Sequence, residues 1–453
     1  MRRSKPRQQP KKKGAGVESG RDLGPPRSSI KFHEVQIEKP IYGGAFLTRI
    51  EGKAVFVPLV LPGERARINI VEDKRGYDTA ELAQLIAPAP ERIAPLCCHF
   101  GVCGGCSYQH ATYQAQLNLK QAILRETLDR GGVRPPDEFA VLSADPWGYR
   151  NRIRLALDAE GNPGYRGRRS HAIVPIAECP IAAPLLVRAA LAFAEIAQRI
   201  PGNLRPTEIS LFCDAEETVL LAGIHTLRPA RPPFEQLCSR WTEEVPELKG
   251  AEIASQGRIG QPPQTVSRWG DASLDYRAAG LSYRVDLGAF FQVNRRLVDP
   301  LVELVTSGYS GTLAWDLFAG VGLFARQLAD RFERVVAVES APSATPSLTR
   351  NLTGSSASAI QASTHDFLNS APSSERPDLI VVDPPRIGLG AEVTSLLVRI
   401  AAPTMVYVSC DPATLARDLR GLIAGGYTIE RLALADLFPQ TYHLETVVQL
   451  RRA

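Results

Sequence analysis

No run of eighteen apolar residues occurs in this 453-residue chain, so no segment has the length a membrane-spanning helix needs. The amino terminus is basic and polar with no apolar stretch behind its charges, which argues against a secretory signal. The expected setting is cytoplasmic, without a membrane partner. Net charge is scarce too: 53 Lys and Arg against 48 Asp and Glu leave only +5. That excess is unevenly placed. Residues 1–31 carry ten Lys or Arg against Glu18 and Asp22, a net +8, so the remainder is slightly acidic. Such a Lys-, Arg-, Pro- and Gly-rich tail cannot bury apolar area and is expected to be disordered. A polyanion such as RNA is its expected partner, with a solubilising role as the alternative.

Cysteine is sparse, eight residues in all, yet it is clustered in a chain with no sign of export. Cys97-x5-Cys103-Gly104-Gly105-Cys106, with Cys179 before Pro180, reads as a metal site and not as a disulfide framework. The glycines let the loop fold back so that thiolates converge on a soft centre, and three close Cys with a distant fourth suit an iron–sulfur cluster. Zinc is the rival, although zinc sites more often show two tight Cys pairs. Cys98 is a spare beside Cys97, while Cys213 and Cys238 read as buried thiols.

The length allows two or three domains, and 44% hydrophobic residues can supply their cores. After the tail, residues 32–90 read as a small β unit. Val35 and Ile37, Ala54 to Leu61, Ala66 to Val71 and Ala80 to Ile86 are short apolar or alternating runs between glycine turns. About five strands at this spacing suggest an OB-like barrel, a fold that often binds single-stranded nucleic acid. Residues 91–286 form a mixed α+β central segment. It holds the cysteine loop, a helical stretch over 111–130 expected to pack on the carboxyl-terminal domain, and an alternating strand with Arg150, Arg152 and Arg154 on its polar face. Arg166, Arg168 and Arg169 follow and favour a phosphate partner, against the plainer reading of solvated surface charge. Residues 227–275 give little indication.

From 287 to 453 strands alternate with helices, the pattern of a doubly wound parallel sheet. Strands at 313–318, 334–338, 379–382 and 405–408 each run into a polar motif: Gly320-x-Gly322, Glu339, Asp383-Pro384-Pro385-Arg386 and Ser409-Cys410-Asp411-Pro412. Ligands of open α/β sheets bind at such carboxyl ends. The glycine turn with Glu339 nineteen residues after Gly320 allows a nicotinamide cofactor. Asp366, Asp383 and Cys410 at the same edge favour S-adenosylmethionine instead, which offers a ribose to Glu339, an adenine amine to Asp366 and a cationic centre to Asp383. Cys410 is the candidate nucleophile, and Glu445, in His443-Leu444-Glu445, the candidate base.

Taken together, the cysteine pattern, Phe291-Gln292-Val293-Asn294, Asp316-Leu317-Phe318-x-Gly320-x-Gly322, Asp383-Pro384-Pro385-Arg386, Ser409-Cys410-Asp411-Pro412 and His443-Leu444-Glu445 resemble the RNA uracil-5-methyltransferase family over residues 32–453. More narrowly, they resemble its 23S ribosomal RNA branch. The resemblance implies a Rossmann-like class I methyltransferase domain preceded by a TRAM barrel and an iron–sulfur central domain, in a monomer acting on RNA. It implies S-adenosylmethionine on Gln292, Phe318, Gly320, Gly322, Glu339, Asp366 and Asp383, and a [4Fe-4S] cluster on Cys97, Cys103, Cys106 and Cys179. Cys410 would attack C6 of the uracil and Glu445 would remove the C5 proton. Transfer RNA as substrate, or a catalytically weak RNA-binding protein, are the alternatives. Two positions depart from the family pattern: Leu323 stands where an Asn follows the glycine turn, and Asp411 where an Asn follows the nucleophile. The added carboxylate is expected to raise the Cys410 pKa unless Arg386 offsets it.

Overall fold

Short apolar runs punctuated by glycine turns build the amino-terminal barrel. In this computed structural model, which describes residues 32–199, 204, 206–227, 229–255, 264–372 and 375–452, the barrel is one six-stranded sheet. Its strands are Phe32–Gln36, Lys39–Pro40, Ala45–Ile50, Lys53–Pro58, Arg65–Asp73 and Tyr77–Ala87. The tail expected over 1–31 lies outside the described residues. Ala45–Ile50 is an addition to the sequence-based set: Phe46, Leu47 and Thr48 are buried one after another, so the run does not alternate. Glu51 (φ +51°) and Gly52 (φ +84°) turn it tightly into Lys53–Pro58, as a two-residue hairpin with both central φ values positive requires. Phe46, Val55, Val57, Ala66, Ile68 and Ala80 fill the interior.

Helix Tyr113–Arg130 starts where the Thr112 hydroxyl accepts from the Ala115 amide and ends at Gly131. Its Ile123, Leu124 and Leu128 pack in the core of the carboxyl-terminal sheet, while Leu119 touches the barrel core. Lys120, fully buried on the same helix, donates to Asp436 Oδ1 at 2.6 Å and to the Phe438 carbonyl at 2.9 Å. Strand Ala140–Leu142 pairs in parallel with Tyr427–Ala435. The helix therefore packs on the carboxyl-terminal sheet and the strand at 140–142 joins it, across the boundary the sequence sets at 286/287.

A seven-stranded sheet spans residues 152–270, including much of the stretch that gave little indication from sequence. Helices Pro184–Arg199 and Arg231–Glu244 cover it, with Phe193 and Trp241 rings 4.9 Å apart. The carboxyl-terminal sheet runs in the order Ala357–Gln361, Phe332–Glu339, Gly311–Leu317, Leu379–Val382, Thr404–Ser409, Glu445–Arg452, Tyr427–Ala435, Ala140–Leu142. Its first five strands are parallel, and Glu445–Arg452 inserts antiparallel. Leu379–Val382 and Thr404–Ser409 are buried at every position, as parallel strands covered on both faces must be. No helix among the described residues is long and apolar enough to cross a membrane.

Candidate active site and cysteine cavity

Strand Gly311–Leu317 ends in a turn that only unusual backbone can make. Phe318 has φ +65° and Gly320 φ +56°, and Gly322, at φ +89°, precedes helix Leu323–Leu328. A Cβ on Gly320 would meet nothing within 4 Å, so the turn leaves open space above itself. Glu339, at the end of the neighbouring strand, accepts from the Gly320 amide at 2.8 Å and from the Ala341 amide at 2.6 Å. Its carboxylate orders the turn while keeping further lone pairs free for a ligand. Asp316 is fully buried and accepts from the Ala325 amide at 2.8 Å through Oδ2, while Oδ1 has no partner. Burial, with the Asp383 and Glu339 charges, pushes it up to about 8.

Gln292 lies on a segment tied down by its neighbours: the Asn151 side chain donates to the Gln292 carbonyl at 3.0 Å, and Asn294 donates to the Leu437 carbonyl at 3.2 Å. The Gln292 amide itself has no partner among the described residues. Asp366 stands differently from the other acids. It is exposed, with its oxygens on Ser363 (2.7 Å) and His365 (3.2 Å), which hold its pKa below the usual range.

The remaining strand ends converge. The ladder between Thr404–Ser409 and Glu445–Arg452 runs from Thr404 opposite Arg451 to Ser409 opposite Thr446, and its next step sets Cys410 against Glu445. Burial raises the Cys410 thiol to about 12, helped by the Glu445 and Asp383 charges and opposed by Arg386. Burial likewise pushes Glu445 well above the usual carboxylate range, again with Asp383 raising and Arg386 lowering. Asp383 is raised by burial alone. Arg386 Nη2 donates to His443 Nδ1 at 2.9 Å, so the cation serving this cluster is itself positioned. His443 stays neutral because burial and the cations Arg386, Arg150 and Lys120 push its pKa down to about 4.

Two sequence-based expectations change here. Asp411 does not figure among the charges acting on Cys410; its side chain caps helix Pro412–Ala424, accepting from the Ala413 and Thr414 amides at 3.0 Å each. An Asp and an Asn make this cap equally well. Leu323 is buried in the core, and its carbonyl accepts from the Tyr283 hydroxyl at 3.1 Å. The cationic strand face is also different, since only Arg154 points outward. Arg152 turns in over the Phe212 ring at 4.1 Å, and Arg150 lies within 6 Å of the Tyr149 and Phe438 rings.

Cys97, Cys103, Cys106 and Cys179 line one cavity of about 270 Å³, together with Arg150 and His443. Burial raises all four thiols, Cys106 to about 12, and Arg150 acts against that rise at Cys106 and Cys179. Arg150 has no carboxylate partner among the described residues. Cys98 is exposed and lies outside the lining, and Cys213 and Cys238 are buried elsewhere. Among the described residues, no three His, Cys, Asp or Glu side chains are placed to hold a single ion. Sequence reasoning passed over Arg150 and His443 as site residues, although both stand inside motifs it singled out.

Comparison with known proteins bears on this arrangement. Residues 373–453 match the family described as tRNA (Uracil-5-)-methyltransferase, and residues 31–83 match the TRAM domain. The chain is 34% identical over 436 residues to 23S rRNA (uracil(1939)-C(5))-methyltransferase RlmD of Chromohalobacter salexigens, covering 92% of this chain and 89% of that one. It is 32% identical to an uncharacterized RNA methyltransferase of Streptomyces avermitilis, covering 93% and 98%. Its fold matches the crystal structure of Pyrococcus abyssi tRNA (uracil-54, C5)-methyltransferase in complex with S-adenosyl-L-homocysteine. There the TM-score is 0.75 at 25% identity, over 92% of this chain and all of that one.

Proposed function

The chain belongs to the RNA (uracil-5-)-methyltransferase family, and from that premise we propose that its substrate is 23S ribosomal RNA and that Cys410 bonds covalently to the target uridine. As an enzyme it transfers a methyl group from S-adenosylmethionine to C5 of a uridine in RNA. The observation that carries the covalent reading is the opposition of Cys410 and Glu445 at adjoining strand ends, with Asp383 and Arg386 acting on both.

Uracil C5 is a poor nucleophile. A thiolate from Cys410 adding to C6 pushes electrons onto the C4 carbonyl and makes C5 enolate-like. Bound S-adenosylmethionine supplies the electrophilic methyl group. The Glu445 carboxylate then takes the C5 proton, the C5–C6 double bond re-forms, and Cys410 leaves as thiolate. A positioned base of this kind contributes on the order of 10² to 10⁴ in rate. Arg386 favours the charged forms of both groups, and His443 holds Arg386 in place. We assign cofactor binding to Gln292, Phe318, Gly320, Gly322, Glu339, Asp366 and Asp383. The open space at Gly320 and the free Gln292 amide support this assignment.

We further assign Cys97, Cys103, Cys106 and Cys179 to a [4Fe-4S] cluster, which would tie the cysteine loop to the central sheet. Arg150 would balance the charge of the thiolates. The barrel at residues 32–90 is assigned to RNA binding, in keeping with its TRAM match.

Nucleoside mass spectrometry of ribosomal and transfer RNA from a strain lacking the gene tests the substrate. Loss of 5-methyluridine from 23S RNA is expected. Loss from transfer RNA alone would instead favour the second reading, which the likeness to the Pyrococcus abyssi structure supports.

A further inference from the structure

Three arginines within four residues line a groove of about 540 Å³ between the barrel and the cysteine loop: Arg166, Arg168 and Arg169. Gly44 and Pro58 contribute from the barrel, and Tyr442 forms part of the opposite wall. None of the three guanidinium groups has an ion pair or a side-chain hydrogen bond among the described residues. Other surface arginines of this chain do find acids: Arg188 pairs with Glu247 at 2.7 Å and Arg268 with Glu252 at 2.8 Å. Glu72, on which Arg169 acts through space, is engaged by Lys74 at 3.1 Å and Thr79 at 3.2 Å. The groove thus concentrates three guanidinium charges, on which Glu81, facing Arg168, and Glu72, facing Arg169, act through space without forming an ion pair among the described residues.

The loop that carries these arginines is fixed. The Gly104 amide donates to the Arg166 carbonyl at 3.0 Å, and the Arg168 amide donates to the Val102 carbonyl at 3.0 Å. A Cβ on Gly104 would lie 2.9 Å from the Arg166 carbonyl oxygen, so only glycine permits this contact. Arg169 holds φ +50°, a conformation that disfavours any residue with a Cβ. Tyr442 is held edge-on to Tyr42 with centroids 5.8 Å apart and lies 4.3 Å from His443. It therefore joins the groove to the segment that carries His443 and Glu445.

We propose that this groove is the track for the single-stranded RNA flanking the target uridine, with Arg166, Arg168 and Arg169 on its phosphates and Tyr442 stacking on a base. Basic grooves edged by aromatic rings bind single strands in this way. The proposal rests on the methyltransferase reading for the identity of the strand, but binding alone decides it, without cofactor or turnover.

The test compares the full chain with the triple variant R166Q/R168Q/R169Q, using a short single-stranded RNA containing the target uridine and the matched duplex across 50–200 mM salt. Each lost phosphate contact lowers the slope of log K against log salt by about 0.7. Three contacts predict a slope smaller by about 2, so the affinity gap between wild type and variant narrows about 20-fold over that range. The triple Arg→Lys variant should keep the wild-type slope. Matching melting temperatures and S-adenosylmethionine binding establish that the variants are folded. An unchanged slope in the Gln variant overturns the proposal, whether or not affinity falls. So does an equal slope loss on the duplex. A chain that methylates no RNA yet shows the slope change would refute the proposed function and leave the groove standing.

Discussion

Cys410 and Glu445 occupy opposing positions one step beyond Ser409 and Thr446, the last residues paired in the ladder between their two strands. A thiol and a carboxyl in this relation cannot both ionise freely, and burial raises the pKa of each. Arg386 is the cation that works against this on both residues.

The first consequence concerns thiol reactivity. With its pKa raised to about 12, Cys410 should react slowly with iodoacetamide near neutrality, at a rate still climbing at pH 9. Arg386→Ala should slow alkylation further, and Arg386→Lys should restore most of it. A plateau near pH 7 in the wild type would show that the site already stabilises the thiolate.

Asp316 makes a pH-dependent contribution to stability. Its folded-state pKa is raised to about 8, so the folded protein binds this proton more tightly than the unfolded chain does. Stability from this group is therefore greatest below the ordinary Asp range and is lost as pH rises toward 8. The ligand-free protein should melt at progressively lower temperature from pH 5 to pH 8, and Asp316→Asn should flatten that decline. Melting curves across this range check it. A melting temperature that rises with pH in the wild type, or an unaltered decline in the variant, would contradict it.

How much of this was legible in the sequence follows from what each element buries. The parallel strands at 379–382 and 404–409 are buried at every position, and those at 311–317 and 332–339 are buried along 313–317 and 335–338, so their cores read as apolar runs. The motifs after them fall at the ligand-binding edge for the same reason. Ala45–Ile50 was not legible, because successive burial of Phe46, Leu47 and Thr48 erases the alternation. Nor was the inward turn of Arg150 and Arg152, since their guanidinium groups rest against aromatic rings contributed from distant parts of the chain. Strand Ala140–Leu142 joins a sheet whose neighbouring strand begins at Tyr427, a pairing that no local pattern encodes. At Asp411, sequence shows a charge beside the nucleophile; only the helix start shows that two backbone amides engage it.

For the cysteine cavity, anaerobically purified protein should carry four iron and four sulfide per chain, as a [4Fe-4S] cluster requires. Cys179→Ser should lose the cluster and Cys98→Ser should keep it, because Cys98 lies outside the cavity lining. Arg150→Met should weaken cluster retention by removing the cation that favours the Cys106 and Cys179 thiolates. Zinc without sulfide in the wild type would return the site to the zinc reading.

The Glu445→Gln variant, incubated with S-adenosylmethionine and 23S RNA, separates the two halves of the reaction. Its amide cannot take the C5 proton, so methylation should proceed and then stall with the RNA still attached. Denaturing electrophoresis should show the adduct. Mass spectrometry of the digested product should place 5-methyluridine on the peptide that contains Cys410, and Cys410→Ala should give none. Wild-type turnover by either variant, or an adduct on any other residue, would contradict the assignment of Cys410 as nucleophile and Glu445 as base.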